Sequence, residues 1–231
     1  MTKLFLVRHG QSTWNAANRF SGWVDVPLNK KGRQEAFQAA HKLSSYQIDV
    51  GFTSLLVRAI ETIAICLTEC EQVCGGRSPV FKHDADDPNW KGWDNYEGDH
   101  SQEIPIFTSR DLDERYYGNL QGLNKTETVQ KFGKDIVHQW RRSFVTRPPG
   151  GESLADTAAR TIPFFGDRIM KHLRDGDNVL VSAHGNSLRS IIMYLDHLDE
   201  QEVANLELVT GIPIVYDINA EEKVTSKIIL N

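Results

Sequence analysis

Three cysteines, no apolar run near the length of a bilayer span and no surplus of positive charge: these shortages already narrow what this 231-residue chain can be. An odd number of cysteines argues against a disulfide framework and suits a compartment that keeps thiols reduced. Cys66, Cys70 and Cys74 follow an i, i+4, i+8 spacing that places them along one face of a helix, as small buried groups. A metal site there would need a fourth ligand, and none is in view. No stretch approaches the ~20 apolar residues that cross a membrane. Met1-Thr2-Lys3-Leu4 runs straight into a strand pattern and lacks a signal-peptide layout, so the expected location is cytoplasmic and away from membranes. With 26 Lys and Arg against 31 Asp and Glu, the net charge is -5, and there is no global basic field to hold nucleic acid. A small anionic partner would have to be drawn by local clusters of Arg and Lys.

The hydrophobic content of 40% is enough for one normal core, and the length fits a single domain over residues 1–231. Strand and helix patterns alternate. Residues 3–8 read as a strand, and 12–28 as a turn-rich segment that should line a site. A helix is expected over 30–44, capped by Asn29, with Ala36, Phe37, Ala40 and Leu43 as its apolar stripe. A strand over 48–53 follows. Ser54 can then cap a helix carrying Arg58, Ile60, Ile63, Ala64 and Leu67, which puts Arg58 near the positive helix end. Further helices are expected over 126–143, 152–173 and 187–195, and strands over 178–184, 212–218 and 224–230. This alternation predicts an α/β fold, a three-layer αβα arrangement with a mostly parallel central sheet.

Residues 75–108 break the pattern with Gly75, Gly76, Pro79, Pro88, Gly92, Gly98 and Pro105, and are expected to form an irregular insertion. The His83-Asp84-Ala85-Asp86-Asp87 run lacks the remaining spacing of a calcium loop and reads as a solvated acidic loop, with Trp90 and Trp93 pinning it to the domain.

Two strand ends carry the chemistry. Leu6-Val7-Arg8-His9-Gly10-Gln11-Ser12 and Val179-Leu180-Val181-Ser182-Ala183-His184-Gly185-Asn186 both turn from an apolar run into His-Gly. In a parallel sheet, ligands gather beyond the carboxyl ends of strands, so two such ends suggest one site with two histidines. An imidazole can act as a nucleophile towards phosphorus, and a guanidinium can grip phosphoryl oxygens with its planar fork. Such a nucleophile must be unprotonated on the attacking nitrogen, so its other nitrogen should donate to a carbonyl or carboxylate. The helix start at Gly185-Asn186 offers backbone N–H groups to the same anion.

The segment Leu6-Val7-Arg8-His9-Gly10-Gln11-Ser12-Thr13-Trp14-Asn15 resembles the signature of the histidine phosphatase superfamily, and within it the cofactor-dependent phosphoglycerate mutases. The likeness extends through Asn18-Arg19-Phe20-Ser21-Gly22-Trp23 and Thr53-Ser54-Leu55-Leu56-Val57-Arg58-Ala59, and through the block from Glu114 to Lys125. It continues in Gln139-Trp140-Arg141-Arg142 and Ala183-His184-Gly185-Asn186-Ser187-Leu188-Arg189. The Glu114–Lys125 block and the Arg141-Arg142 pair point to mutases, where Arg-His-Gly alone marks only the superfamily.

The resemblance implies a phosphoglycerate mutase-like fold and interconversion of 3-phosphoglycerate and 2-phosphoglycerate. His9 would be the phosphorylated nucleophile, primed by 2,3-bisphosphoglycerate, with no metal. Arg8, Arg58 and His184 would cradle the phosphoryl group, and Glu114 would be the general acid and base, with a pKa raised by neighbouring phosphates; Asp113 is its weaker rival. Arg115, Lys125, Arg141 and Arg142 would meet the substrate carboxylate and second phosphate. Gln11, Ser12, Asn15, Ser21, Gly22, Tyr117, Gly185 and Asn186 would add neutral hydrogen bonds. Gln11 stands where Glu is frequent, Ser21 where Thr is frequent, and Tyr116 where His is usual. The stretch between Arg142 and Glu152 is short, and the sequence ends at Asn231 without the mobile tail of longer members. Water is therefore expected to reach phosphorylated His9 and give some bisphosphoglycerate phosphatase activity. A homo-oligomer, a dimer if any, is left open. The competing readings are a phosphatase of the same superfamily acting on a sugar phosphate or bisphosphate, and an inactive phosphate-binding module.

Overall fold

The strands are β1 (Thr2–Arg8), β2 (Val50–Thr53), β3 (Ser78–Lys82), β4 (Glu103–Thr108), β5 (Val179–Ala183), β6 (Pro213–Ile218) and β7 (Val224–Ile229). In this computed structural model, which describes residues 1–82 and 99–231, they form one sheet in the order β3-β4-β2-β5-β1-β6-β7. The ladders from β3 to β1 are parallel; β6 and β7 add antiparallel ladders at one edge. The helices are α1 (Thr13–Ala16), α2 (Lys30–Lys42), α3 (Val57–Thr68), α4 (Glu71–Cys74), α5 (Lys125–Phe132), α6 (Lys134–Arg142), α7 (Leu154–Phe164), α8 (Met170–Asp175), α9 (Gly185–Asp196) and α10 (Glu200–Asn205).

The uninterrupted apolar runs of β1 and β5 follow from burial on both faces. Leu4, Leu6, Val179, Val181 and Phe52 face one way, into a core closed by Phe165, Ile169, Met170, Leu188, Ile191 and Ile192. Their alternates Phe5, Val7, Leu180, Ile104 and Ile106 face the other way, against Ala39 and Ala40 of α2 and Ile63, Cys66 and Leu67 of α3. Each such buried Leu, Ile or Phe contributes roughly 1.5–3 kcal/mol of transfer free energy. The result is the expected αβα layering with a mostly parallel sheet.

Several boundaries differ from the sequence reading. The expected helix over 126–143 is two helices, parted at Gly133, whose φ of 89° leaves the helical region. The one over 152–173 widens into a π turn at Phe165–Ile169, just after Pro163, whose missing N–H interrupts the ladder. Asn29 caps α2 as expected, accepting from Gly32 N–H at 2.8 Å. Ser54 does not cap α3: the N-cap position falls on Leu56, and Asp25 from the turn-rich segment accepts from Val57 N–H at 2.7 Å. The three cysteines are buried in one core cluster but not on one helix, because α3 ends at Thr68 and Cys74 closes α4. Burial pushes the Cys66 thiol up to about 12. The stretch 75–108 is not irregular throughout: its two ends form β3 and β4, paired in parallel from Ser78 with Glu103. The His83–Asp87 run, Trp90 and Trp93 lie outside the described residues. No helix among the described residues is long and apolar enough to cross a membrane.

Candidate active site

β1 and β5 are parallel neighbours with Arg8 opposite Ala183, so both His-Gly turns leave the sheet at the same edge. His9 N–H donates back to Ala183 O at 3.0 Å, which locks the turn to the neighbouring strand. The two buried imidazoles lie face to edge, ring centroids 4.9 Å apart at 61°. His9 Nδ1 sits 2.7 Å from the carbonyl of Gly10. A carbonyl can only accept, so Nδ1 carries the proton and Nε2 is left bare. Burial holds the His9 pKa well below its ordinary value, and the guanidinium charges of Arg58 and Arg8 push the same way. The ring is therefore a neutral imidazole with a free lone pair. His184 is depressed in the same way, chiefly by burial and then by Arg58. Its Nε2 meets Ser54 Oγ at 2.7 Å, and its buried Nδ1 has no hydrogen-bond partner among the described residues.

Arg58, in the first turn of α3, is fully buried and donates to Val24 O at 3.0 Å and Gly22 O at 2.8 Å. Arg8 donates through Nη1 to Leu208 O at 2.7 Å. Both arginines keep a buried Nε with no acceptor among the described residues, as does Arg115. Buried donors left unpaired are costly, and several in one place fit a site built for an anion.

Glu114 reaches this cluster from the loop after β4. Its Oε1 accepts from Asn186 Nδ2 at 2.7 Å and from Arg115 N–H at 2.7 Å, while Oε2 lies near Gly185 and the Arg8 guanidinium. A raised pKa was expected beside bound phosphates; among the protein's own groups the balance runs the other way. Burial pushes the carboxyl up, but the Asn186 and Arg115 hydrogen bonds and the charges of Arg58 and Arg8 hold it below its ordinary value. The expectation assumed phosphates already in place; without them the two hydrogen bonds and the cations together outweigh burial. Asp113, the rival, is pushed up to about 6 by burial and accepts from Leu55 N–H at 2.9 Å, outside the cavity wall.

The segment bearing Glu114 is clamped by Arg160 of α7. Arg160 donates to the carbonyls of Arg110 (3.0 Å), Asp111 (2.9 Å), Asp113 (3.0 Å) and Glu114 (3.1 Å), and pairs with Glu152 at 3.1 Å. Glu152 in turn accepts from Tyr116 N–H at 2.9 Å. Trp23 Nε1–H also donates to Glu114 O, at 2.6 Å, and its ring packs 4.9 Å from Tyr116, which accounts for Tyr116 in a supporting role.

These groups open onto a cavity of about 230 Å³. Among the expected residues, Arg8, His9, Asn15, Ser21, Gly22, Arg58, Glu114, Tyr117, Lys125, Arg141, Arg142, Gly185 and Asn186 line it. His184 is fully buried and is not among the lining residues; its ring packs edge-on to that of His9, centroids 4.9 Å apart. Arg115 does not line the wall: it is fully buried, donating to Tyr117 Oη at 3.0 Å and Arg141 O at 3.1 Å. Gln11 and Ser12 are also withdrawn from it. Gln11 Oε1 accepts from Asn29 Nδ2 at 2.8 Å, and Ser12 caps α1 through Asn15 N–H at 3.0 Å. Both stabilise the turn that presents His9. The wall also holds Arg19, Arg189 and Glu207, which the sequence reading did not assign. Arg189 follows Asn186 by one helical turn, a usable signal; Glu207 has none, since only the tertiary fold brings it to the mouth.

A family model described as the histidine phosphatase superfamily (branch 1) matches residues 4–77 and 97–228. The 2,3-bisphosphoglycerate-dependent phosphoglycerate mutase of Gloeothece citriformis is 61% identical, covering 100% of both chains. A namesake from Gloeobacter violaceus is 59% identical over 100% of this chain and 99% of its own. One from Protochlamydia amoebophila is 48% identical over 96% and 97%. Among solved structures, Bacillus stearothermophilus YhfR superposes with a TM-score of 0.74 at 22% identity, over 97% of this chain and 94% of its own. A mycobacterial glucosyl-3-phosphoglycerate phosphatase with VO3 gives 0.70 at 23% identity, over 94% and 93%. At those identities the structural likeness concerns the fold alone.

Proposed function

This chain belongs to the histidine phosphatase superfamily, branch 1, and from that premise we propose that it interconverts 3-phosphoglycerate and 2-phosphoglycerate through phosphorylated His9, primed by 2,3-bisphosphoglycerate. The observation that carries the reading is the bare Nε2 of His9 in a cavity whose other wall holds Glu114 and the cations Lys125, Arg141 and Arg142. The full-length likeness to enzymes so named supports it.

His9 Nε2 attacks the phosphorus of a bound phosphomonoester. The N–P bond forms as the P–O bond breaks, and Glu114 gives its proton to the departing alkoxide oxygen. Arg8, Arg58 and His184 meet the charge on the equatorial oxygens, already fixed by the bonds described and needing no reorganisation. In the reverse half, Glu114 takes the proton from the free hydroxyl of bound 3-phosphoglycerate, that oxygen attacks phosphorus and the N–P bond breaks; the bisphosphoglycerate so formed then gives its other phosphoryl group to His9 and leaves as 2-phosphoglycerate. The bisphosphoglycerate supplies the first phosphoryl group, and Arg141, Arg142 and Lys125 would hold its second phosphate and carboxylate. An incoming phosphate adds negative charge beside Glu114 and pulls its pKa upwards, which makes the acid form available when it is needed. Among the described residues no group of three or more His, Cys, Asp and Glu is placed to hold a metal ion. The wall arginines supply the charge neutralisation that the transfer requires, so no metal enters this scheme.

Glu207 and His9 line the same cavity, and water sharing that cavity would hydrolyse phosphorylated His9 as a slower side reaction. The water-soluble substrates and three free, buried thiols fit a reducing, cytoplasmic setting.

The test is conversion of 3-phosphoglycerate to 2-phosphoglycerate, coupled to enolase, with catalytic bisphosphoglycerate and release of inorganic phosphate followed in parallel. Acid-labile label on His9 and mutase turnover exceeding hydrolysis support the reading. Hydrolysis of sugar phosphates without mutase turnover would assign a phosphatase instead, and binding without any label would leave only a phosphate-binding module.

A further inference from the structure

The cavity wall is cationic, yet a second carboxylate besides Glu114 stands in it. Glu207 lies on the connection between α10 and β6, and its Oε1 pairs with Arg142 Nη2 while Oε2 lies 4.0 Å from Arg189 Nη2. Two site arginines hold the backbone on either side: Arg189 Nε donates to Leu206 O at 2.8 Å, and Arg8 Nη1 donates to Leu208 O at 2.7 Å. The Glu207 side chain itself is 67% exposed. Its position is thus fixed at the backbone while its carboxylate remains free to swing between Arg142 and solvent.

We propose that Glu207 is a specificity-determining residue, an internal anion that occupies Arg142 at the cavity mouth and discriminates against more highly charged ligands. This rests on the phosphoglycerate reading above and deepens it. An incoming anion that uses Arg142 must displace the carboxylate. Anchored by its backbone, Glu207 then stays within a few ångströms of the ligand, and the repulsion grows with ligand charge. A monophosphate meets a small penalty and a bisphosphate a larger one. The effect is to shorten the stay of the bisphosphorylated species relative to the monophosphorylated one. Negative charge placed against the wrong ligand is a recognised source of selectivity.

The experiment compares the wild-type chain with Glu207→Gln, which keeps shape and hydrogen-bonding capacity. Binding of sulfate, pyrophosphate and 2,3-bisphosphoglycerate is measured by calorimetry at low salt and at about 1 M salt. The expected result is a charge-graded gain in the variant: about twofold for sulfate and about tenfold for pyrophosphate and bisphosphoglycerate at low salt, shrinking at high salt. In turnover, KM for 3-phosphoglycerate falls by more than kcat changes, and Glu207→Asp lies between the two proteins. An equal gain for all three anions, or weaker binding of each, overturns the proposal and makes Glu207 a support for Arg142. Failure of both proteins to bind any of the anions overturns the functional reading with it; intact anion binding without mutase turnover overturns that reading alone.

Discussion

The Nδ1 proton of His9 is held by the carbonyl of Gly10, the next residue in the chain, at 2.7 Å. The strand end that delivers the nucleophile therefore also sets its tautomer, without help from a distant carboxylate. That makes two demands on the free protein. In nitrogen NMR, His9 should show a protonated Nδ1 and an unprotonated Nε2 at pH 6.5 and above, with no titration at the ordinary histidine value. A midpoint at or above 6.5 for His9 contradicts the assignment.

The same burial links stability to pH. His9 and His184 both have folded-state pKa values far below their unfolded value of 6.5. Below pH 6.5 the unfolded chain binds protons that the folded chain refuses, so stability falls on acidification, by up to about 1.4 kcal/mol per pH unit for each ring. Asp113 opposes this, because its carboxyl, pushed up to about 6, takes up a proton in the folded state first. Urea unfolding at pH 7 and pH 5.5 should show a net loss of about 1–2 kcal/mol at the lower pH. Equal stability at both would mean that the rings are not buried neutral.

His184 owes its orientation to Ser54, at 2.7 Å. Ser54→Ala removes that bond and an acceptor for Leu56 N–H, at a cost of about 1 kcal/mol in stability. A tilted ring misplaces one of the groups meeting the phosphoryl oxygens, and kcat should fall about ten- to a hundredfold with KM little changed. A change confined to KM would show that Ser54 does not act through His184.

How much of this was legible in the sequence follows from whether each feature is local. The two His-Gly strand ends and the cap at Asn29 are written in adjacent residues, and those expectations hold. Pro79 and Pro105 concealed β3 and β4, because a proline usually argues against a strand. Pro79 is tolerated on the outermost strand, and the β2 ladder engages β4 only from Ile106 to Thr108, beyond Pro105. Gln11 and Ser12 lie one turn from the nucleophile in sequence, yet their side chains are spent on Asn29 and Asn15. Arg160 and Glu207 could not be found at all: each acts on a segment more than 40 residues away, a distance no local pattern encodes.

Arg160 ties the Glu114 segment down at several points. Its guanidinium spans four carbonyls and one carboxylate, a fork that a lysine ammonium cannot reproduce. Arg160→Lys should therefore cost about 2–4 kcal/mol in stability and lower kcat, and Arg160→Ala should be no better. If the lysine variant retains wild-type stability and turnover, the clamp does not position Glu114.

A Cβ on Gly10 would lie 2.2 Å from the carbonyl oxygen of Gly32 at the start of α2, and one on Gly32 would lie 2.2 Å from Gln11 O. Both obstacles are backbone, so neither can rotate away. Gly10→Ala should displace the turn that sets the His9 tautomer and lower His9 phosphorylation at least a hundredfold, with folding retained by circular dichroism. Full labelling of the alanine variant would show that the close approach is not needed to present the ring.

The assignment of Glu114 as proton donor makes a demand that a binding role does not. Breaking the P–O bond of a phosphoglycerate releases an alkoxide, a poor leaving group that needs a proton in the transition state. Glu114→Gln keeps an acceptor for the N–H groups of Asn186 and Arg115 but cannot donate that proton as an acid. Turnover of 3-phosphoglycerate should drop by about 10²–10⁴. An aryl phosphate whose leaving group is already stable as an anion needs no such help, so its rate of His9 phosphorylation should drop by less than about tenfold. Losing both substrates to the same degree would place Glu114 in binding or in the architecture of the cavity, because a residue that only holds the phosphoryl group in place cannot distinguish one leaving group from another.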